Sequence, residues 1–333
     1  MNKKTILVLG GGGYVGCNLV RKLLKKNYQV IVYDLFLYKK NVLIDLLDNE
    51  NLKLVKGDIR DLNKLETFLE NTDIIIHLAC ISNDPSYELN PNLGKDINFN
   101  CFPKLINKIK KFNIKQFIYA SSSSVYGVKE EDSVTEDLKA EPITDYSKFK
   151  LECEEILLNE SAKFNKTIIR PATVCGYSER QRLDVIVNIL TNHAYFNKKI
   201  IIHGGDQLRP NIHIDDMSES YLEVINNADA CNKEIFNVGD ENHSVNKLAE
   251  MVNSSCPDAK LIREKVVDQR SYKISSDKIF NKIGFKTKKT ISDAINDLVK
   301  AFETKTLINT FDDDGYYNIK IIKQNLKSLL NDQ

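Results

Sequence analysis

The 333-residue chain has almost no net charge: forty-seven lysines and arginines stand against forty-six aspartates and glutamates, a formal +1. That balance removes the broad basic footprint of a nucleic-acid or anionic-membrane binder, so an anionic partner must be held by a local pocket. Cysteine pairs are missing too. Cys17, Cys80, Cys101, Cys153, Cys175, Cys231 and Cys256 are odd in number and scattered, with no C-x-x-C and no His-rich stretch beside them. This argues against a disulfide framework and a local metal site, and free thiols fit a reducing cytoplasm. Long apolar runs are also absent. The start, Met1-Asn2-Lys3-Lys4 and the apolar residues after it, imitates a signal peptide, but its apolar part lasts about five residues where a signal's needs about seven to fifteen. No later stretch approaches a membrane span, so cytoplasmic residence is the expectation. Internal repeats, low-complexity tracts and long linkers are lacking as well.

What is present begins at residue 5. The apolar run Thr5-Ile6-Leu7-Val8-Leu9 enters Gly10-Gly11-Gly12-Gly13-Tyr14-Val15-Gly16, in which Gly10, Gly13 and Gly16 are spaced G-x-x-G-x-x-G. A strand that turns at once into a helix needs angles glycine adopts cheaply, and a phosphate reaches backbone N–H groups where no Cβ intervenes. Val15, Leu19, Val20, Leu23 and Leu24 then recur at helical spacing, and Gln29 to Tyr33 reads as a second strand ending at Asp34. That order is a mononucleotide-binding unit, whose acid accepts hydrogen bonds from ribose hydroxyls. A carboxylate there repels a 2′-phosphate, so Asp34 favours NAD over NADP, with Lys39 and Lys40 as the contrary hint.

Alternation of β-branched runs with helical patterns continues past the middle of the chain, which predicts an α/β fold: a Rossmann-type doubly wound parallel sheet with a smaller C-terminal substrate-binding region. Strands are expected at Leu52–Asp58, Asp73–Cys80, Gln116–Ala120 and Thr167–Pro171, and helices at Asn98–Phe112 and Tyr146–Asn159. Beyond Pro171 polar turns such as Cys175–Arg180 and His203–Asp206 interrupt the alternation. Glu234–Gly239 reads as a strand returning to the sheet, and the tail from Asp312 to Gln333 is charged and weakly patterned. Residues 1–171 are therefore expected to form the dinucleotide domain, with 212–240 returning to it, and residues 172–211 and 241–333 the substrate cap.

Tyr146 and Lys150 lie one helical turn apart, so both side chains point the same way. An ammonium beside a phenol is expected to lower its pKa from about 10 toward a useful general base. Ser121-Ser122-Ser123-Ser124 follows a strand's carboxyl end, where ligands of open α/β sheets bind.

With these residues in view the chain resembles the extended short-chain dehydrogenase/reductases, in particular the nucleotide-sugar epimerases and dehydratases. The likeness rests on the glycine turn, Asp34, Gly57-Asp58-Ile59-Arg60-Asp61, His77-Leu78-Ala79, Ser122 to Gly127, Tyr146-x-x-x-Lys150 and Arg209 to Asp216. It implies NAD as cofactor, a nucleoside-diphosphate sugar as substrate and a homodimer paired through the helices around residues 98–112 and 146–159. Carried onto this chain, Tyr146 is the acid/base, Lys150 its partner and the holder of the nicotinamide ribose, and Ser122 the catalytic hydroxyl that also meets substrate. Gly10, Gly13, Tyr14, Val15 and Gly16 cradle the pyrophosphate. Asp58 and Ile59 flank the adenine, Leu78 and Ala79 the adenosine side, and Asn98 closes over the cofactor. Arg209 and Arg270 grip the substrate's phosphates.

The departures narrow the chemistry. Ser123 and Ser124 occupy the positions of the acid pair that eliminates water in the dehydratases, and Thr173 replaces an asparagine in the family's Arg-x-x-Asn. What remains is redox at a sugar carbon, habitually C4. Three outcomes stay open: a 4-epimerase working through a 4-keto intermediate, a 4-dehydrogenase or 4-ketoreductase that releases its product, and a non-catalytic dinucleotide-binding scaffold.

Overall fold

The computed structural model describes residues 3–264 and 271–331. Its first strand, Thr5–Leu9 (β1), is buried at every position, as a parallel strand covered on both faces must be. Gln29–Asp34 (β2), Leu52–Lys56 (β3), Ile74–His77 (β4), Gln116–Ala120 (β5) and Asn165–Pro171 (β6) follow. After Thr173–Cys175 (β7), Lys199–His203 (β8) and Leu208–His213 (β9), the strand Glu234–Val238 (β10) returns to the same sheet. The sheet has seven parallel strands in the order β10-β6-β5-β4-β1-β2-β3.

Side-chain alternation builds two cores from these strands. Ile6, Val8, Val32, Ile76 and Phe236 join one apolar cluster; Leu7, Leu9, Ile75, Phe117 and Ile168 join the other. Helix Tyr14–Lys25 lays Leu19, Val20 and Leu23 into the first and packs beside helix Ile214–Asn226. Helices Cys101–Ile109 and Asp145–Asn159 cover the second with Leu105, Ile106, Cys153 and Leu157. The fold is thus doubly wound and Rossmann-type. Its strand order reverses between β1 and β4, which opens a crevice at their carboxyl ends.

The later chain builds a smaller region. β7, β9 and Glu241–Ser244 (β11) form one short sheet, and β8 pairs with Lys260–Glu264 (β12) in another. Helices Ile186–Asn197, Val245–Ser255 and Ile291–Glu303 enclose its core through Val187, Leu190, Leu248, Val252 and Ile295.

The tail differs from its weak sequence pattern. Residues Asn318–Asn331 form a helix, and Ile322 and Leu329, 1% and 3% exposed, belong to the core on the dinucleotide half rather than to the cap. Arg60 Nη2 donates to Leu329 O at 2.9 Å. Ile322, Leu326 and Leu329 share one helical stripe, and the lysines between them hide it in the sequence.

A buried ion pair lies under the crevice. Arg170 on β6 and Glu154 on helix Asp145–Asn159 are 4% and 1% exposed and meet at 2.6 Å. Arg170 Nη1 donates to the Tyr126 hydroxyl, which donates to Asn237 Oδ1 on β10. Ser121, at the end of β5, donates to Glu154.

Candidate active site

One cavity of about 480 Å³ at the carboxyl ends of the strands gathers Gly13, Tyr14, Val15, Gly16, Leu78, Ser122, Tyr146, Lys150 and Arg209. That volume suits a small-molecule site. Gly10, Asp34, Asp58, Ile59, Ala79 and Asn98 do not line it.

The catalytic side chains are set by local structure. Thr144 caps helix Asp145–Asn159 by accepting from Ser147 N, and the Ser147 hydroxyl returns to the cap. Tyr146 and Lys150 consequently sit on the helix's inner face, 8% and 4% exposed. Ser122 extends from β5 and caps the short turn Ser123–Tyr126, its Oγ accepting from Ser124 N at 3.1 Å and bonding Ser124 Oγ at 2.8 Å.

Lys150 Nζ donates to Ala120 O at 2.7 Å and stands 5.9 Å from the Tyr146 ring centre. The expected lowering of the phenol is not what results. Burial pushes Tyr146 well above its usual value, with Cys80 and Asp84 adding to the rise, while Arg182 and a hydrogen bond with Ser122 pull the other way. The hydrogen bond to Ala120 O fixes where the lysine stands beside the phenol.

The glycine turn is shaped by close approach. Gly10 has φ +83°, and a Cβ there would stand 2.6 Å from Ala79 N; one on Gly16 would stand 2.5 Å from Gly10 O. Gly13 begins helix Tyr14–Lys25 without a side-chain cap, which leaves first-turn N–H groups for an anion. The Tyr14 phenol turns away, donating to Gly176 O at 2.6 Å. Asp34 accepts from Gly12 N at 2.9 Å and Phe36 N at 2.7 Å. Its two oxygens hold the turn and the end of β2, and burial raises its pKa.

Other expected ligands have local duties. Asp58 is bound by Arg60, at 2.6 Å from Nη2, and Ile59 is buried in the second core. Asn98 lies in a π-helical turn, Asp96–Asn100, and exchanges two hydrogen bonds with the backbone of Ile81, so it fastens the loop after β4. His77 is packed against Phe102, and burial pulls its pKa down to about 3, with Lys150 adding to the fall. Arg270 lies outside the described residues.

Sequence reasoning missed a polar cluster on one wall of the cavity. Arg180 stacks on Tyr38 with 4.0 Å to the ring centre, and burial lowers its pKa to about 10. Its Nη2 donates to Asn318 Oδ1, while Asn318 Nδ2 donates to Ser82 Oγ and Asn318 N to Asp184 Oδ2. Arg182 Nε donates to Asp184 Oδ1 at 2.8 Å. The available signal was Arg180-Gln181-Arg182, which begins at the last residue of the polar turn Cys175–Arg180 and runs beyond it.

The model of the NAD dependent epimerase/dehydratase family matches residues 6–239. The chain belongs to that family. It is an NAD-using enzyme of the extended short-chain dehydrogenase/reductase type. Relatives include the bifunctional polymyxin resistance protein ArnA of Wigglesworthia glossinidia brevipalpis, 31% identical over 257 residues, covering 72% of this chain and 39% of that one. A putative UDP-glucose 4-epimerase of Methanocaldococcus jannaschii is 29% identical, covering 74% and 81%. Among solved structures, the UDP-glucuronic acid 4-epimerase of Bacillus cereus, in complex with UDP-glucuronic acid and NAD, superposes with a TM-score of 0.82 at 25% identity, over 90% of this chain and 99% of that one. The family's cofactor fits the residues present: a Cβ at Gly10 or Gly16 would collide with the turn that the open helix end requires, while one at Gly13 meets only Gly10 O, at 3.2 Å.

Proposed function

We propose that this chain is a nucleotide-sugar 4-epimerase working through a 4-keto intermediate. The observation that carries the reading is that Ser122, Tyr146 and Lys150 converge on one cavity while Ser123 and Ser124 stand there at the positions of the dehydratases' acid pair. Ser123 is hydrogen-bonded to the Tyr272 hydroxyl and Ser124 to Ser122. The two carboxylates on the wall are engaged: Asp84 with the Thr144 hydroxyl, Asp184 with Arg182 and Asn318. Elimination of water therefore has no free acid and base among the described residues.

NAD, when bound, supplies the hydride acceptor at C4 of the sugar and the donor on return. Tyr146 takes the proton of the sugar's O4 as the C4–H bond breaks and the carbonyl forms, then gives it back when C4 is reduced on its other face. Ser122 holds O4. Lys150, fixed by Ala120 O, keeps a positive charge beside the reacting phenol. Asp34 keeps the glycine turn closed, and the first N–H groups of helix Tyr14–Lys25 receive the pyrophosphate. Arg209 lines the same cavity, and its guanidinium suits a diphosphate.

Incubation with UDP-, GDP-, CDP- and dTDP-sugars tests the reading through product mass. An unchanged mass with inverted C4 is expected; loss of two hydrogens would make the enzyme a 4-dehydrogenase, and loss of water would overturn the reading.

A homodimer belongs to the same proposal. Phe99 and Phe149 stack at 5.0 Å and, with Ile156, remain half-buried on the second core, an apolar strip on this side of the molecule. Light scattering at micromolar concentration is expected to give twice the chain mass, and a monomer would contradict it. We also place the protein in the cytoplasm, which its seven free cysteines suit. Among the described residues no helix is long and apolar enough to cross a membrane.

A further inference from the structure

The tail helix Asn318–Asn331 has no part in the chemistry above, yet its first residue stands in the cavity wall beside Ser82, Arg180 and Asp184. Asn318 is 1% exposed. Its N donates to Asp184 Oδ2 at 2.9 Å and its Nδ2 to Ser82 Oγ at 2.9 Å, while its Oδ1 accepts from Arg180 Nη2 at 2.5 Å. Just before it, Tyr316 O accepts from Leu183 N at 2.9 Å. Ser82 belongs to the loop after β4, on the dinucleotide half, whereas Leu183 and Asp184 lead into the cap helix Ile186–Asn197. The start of the tail helix is thus a clasp between two sides of the cavity.

From Asn318 to Leu329 the helix rises about 16 Å, and its other end rests on the dinucleotide half. Ile322 and Leu329 enter the core there, with Leu326 partly buried against it. Arg60 Nη2, already paired with Asp58, donates to Leu329 O at 2.9 Å. The helix also runs beside helix Asp84–Tyr87, which brings Asp84 and Pro85 to the cavity. This seat is narrow. Lys320, Lys323 and Lys327 are exposed, and so are Ile319 and Leu330. An element held by few apolar side chains opens locally at far lower cost than the whole molecule unfolds. Residues 304–317, irregular apart from the turn Asp314–Tyr316, supply the slack for it to move.

We propose that the tail helix is a latch on the cavity wall. Docked, it joins Ser82 to Asp184 and closes the wall; released, it parts them and lets the nucleotide sugar enter or leave. Asn318 is the clasp and a positioning residue, and Ile322 and Leu329 are the seat that keeps the clasp in place. Because one rigid helix carries both, loosening the seat at Leu329 opens the wall at Asn318. The latch governs passage and not chemistry, so it holds whichever carbon of the sugar reacts.

Cys80 gives the readout. It lines the same cavity and is half-buried, whereas the other six cysteines are buried. In the NAD-loaded full chain its labelling by a bulky fluorescein maleimide and by small iodoacetamide is followed with peptide mass spectrometry. Asn318→Ala at one end of the helix and Leu329→Ala at the other are each expected to raise the maleimide rate at least about 10-fold and the iodoacetamide rate less than about 3-fold. A rise for Asn318→Ala alone makes that residue a local part of the wall and overturns the latch, as does no rise in either variant. Where a variant also exposes Cys17 and Cys101, it has unfolded as a whole, and hydrogen exchange of the wild-type protein decides. The amides of the tail helix are then expected to exchange at least about 100-fold faster than those of β1. Exchange as slow as that of β1 would make the helix a fixed part of the core and overturn the proposal.

Discussion

Replacing Tyr146 by Phe is expected to lower kcat by about 10³-fold or more, near the upper range for loss of a general acid/base, while NAD affinity changes by less than about 3-fold. The asymmetry follows from the geometry. Tyr146 is 8% exposed and its ring is held by the surrounding core, so deleting one oxygen removes the proton carrier without opening a cavity. The glycine turn and Asp34, proposed above to serve the dinucleotide, follow β1 and end β2, whereas Tyr146 stands on helix Asp145–Asn159. Stopped turnover with intact cofactor binding, measured by steady-state rates and by calorimetry with NAD, is the expected pair of results. Undiminished turnover would remove Tyr146 from the chemistry, and joint loss of NAD binding would make its role structural.

The largest effect on stability is expected at Arg170. Arg170→Met should cost about 3–5 kcal/mol, because it leaves the Glu154 carboxylate buried and unpaired. Glu154 is 1% exposed, so water cannot replace the lost partner. The double replacement Arg170→Met with Glu154→Leu should recover much of that loss, since an apolar pair needs no desolvation of charge. Urea unfolding reads both. The pair also holds Ser121 and Tyr126, on either side of Ser122, so the double variant is expected to fold yet turn over more slowly. A single variant as stable as the wild type would contradict this account of the layer beneath the site.

Local features were legible in the sequence. An apolar run before four glycines, β-branched runs alternating with helical patterns, and Tyr146 and Lys150 one turn apart need only neighbouring residues to be read. Features that depend on distant contacts, which neighbouring residues do not reveal, were not. Asn318 reaches Asp184 across 134 positions, and no pattern near either residue announces the meeting. The tail helix was hidden for a related reason: Ile322, Leu326 and Leu329 are few among many charges, and their partner surface lies on the opposite end of the chain. The anchoring of Lys150 to Ala120 O was not legible either, because that carbonyl is a backbone group that no residue pattern marks. The hold of Asn98 on the backbone of Ile81 was equally invisible, since it depends on a π-helical turn that aims the side chain at the loop after β4.

The chemistry at C4 is open to one direct measurement. The nucleotide sugar that the product-mass assay identifies, carrying deuterium at C4, is incubated with the enzyme in ordinary water, and the product is analysed by mass spectrometry and proton NMR. Hydride removal and return at the same carbon predicts an inverted C4 that keeps its deuterium and an unchanged mass. Deuterium lost to solvent, or a released 4-keto sugar, would contradict it.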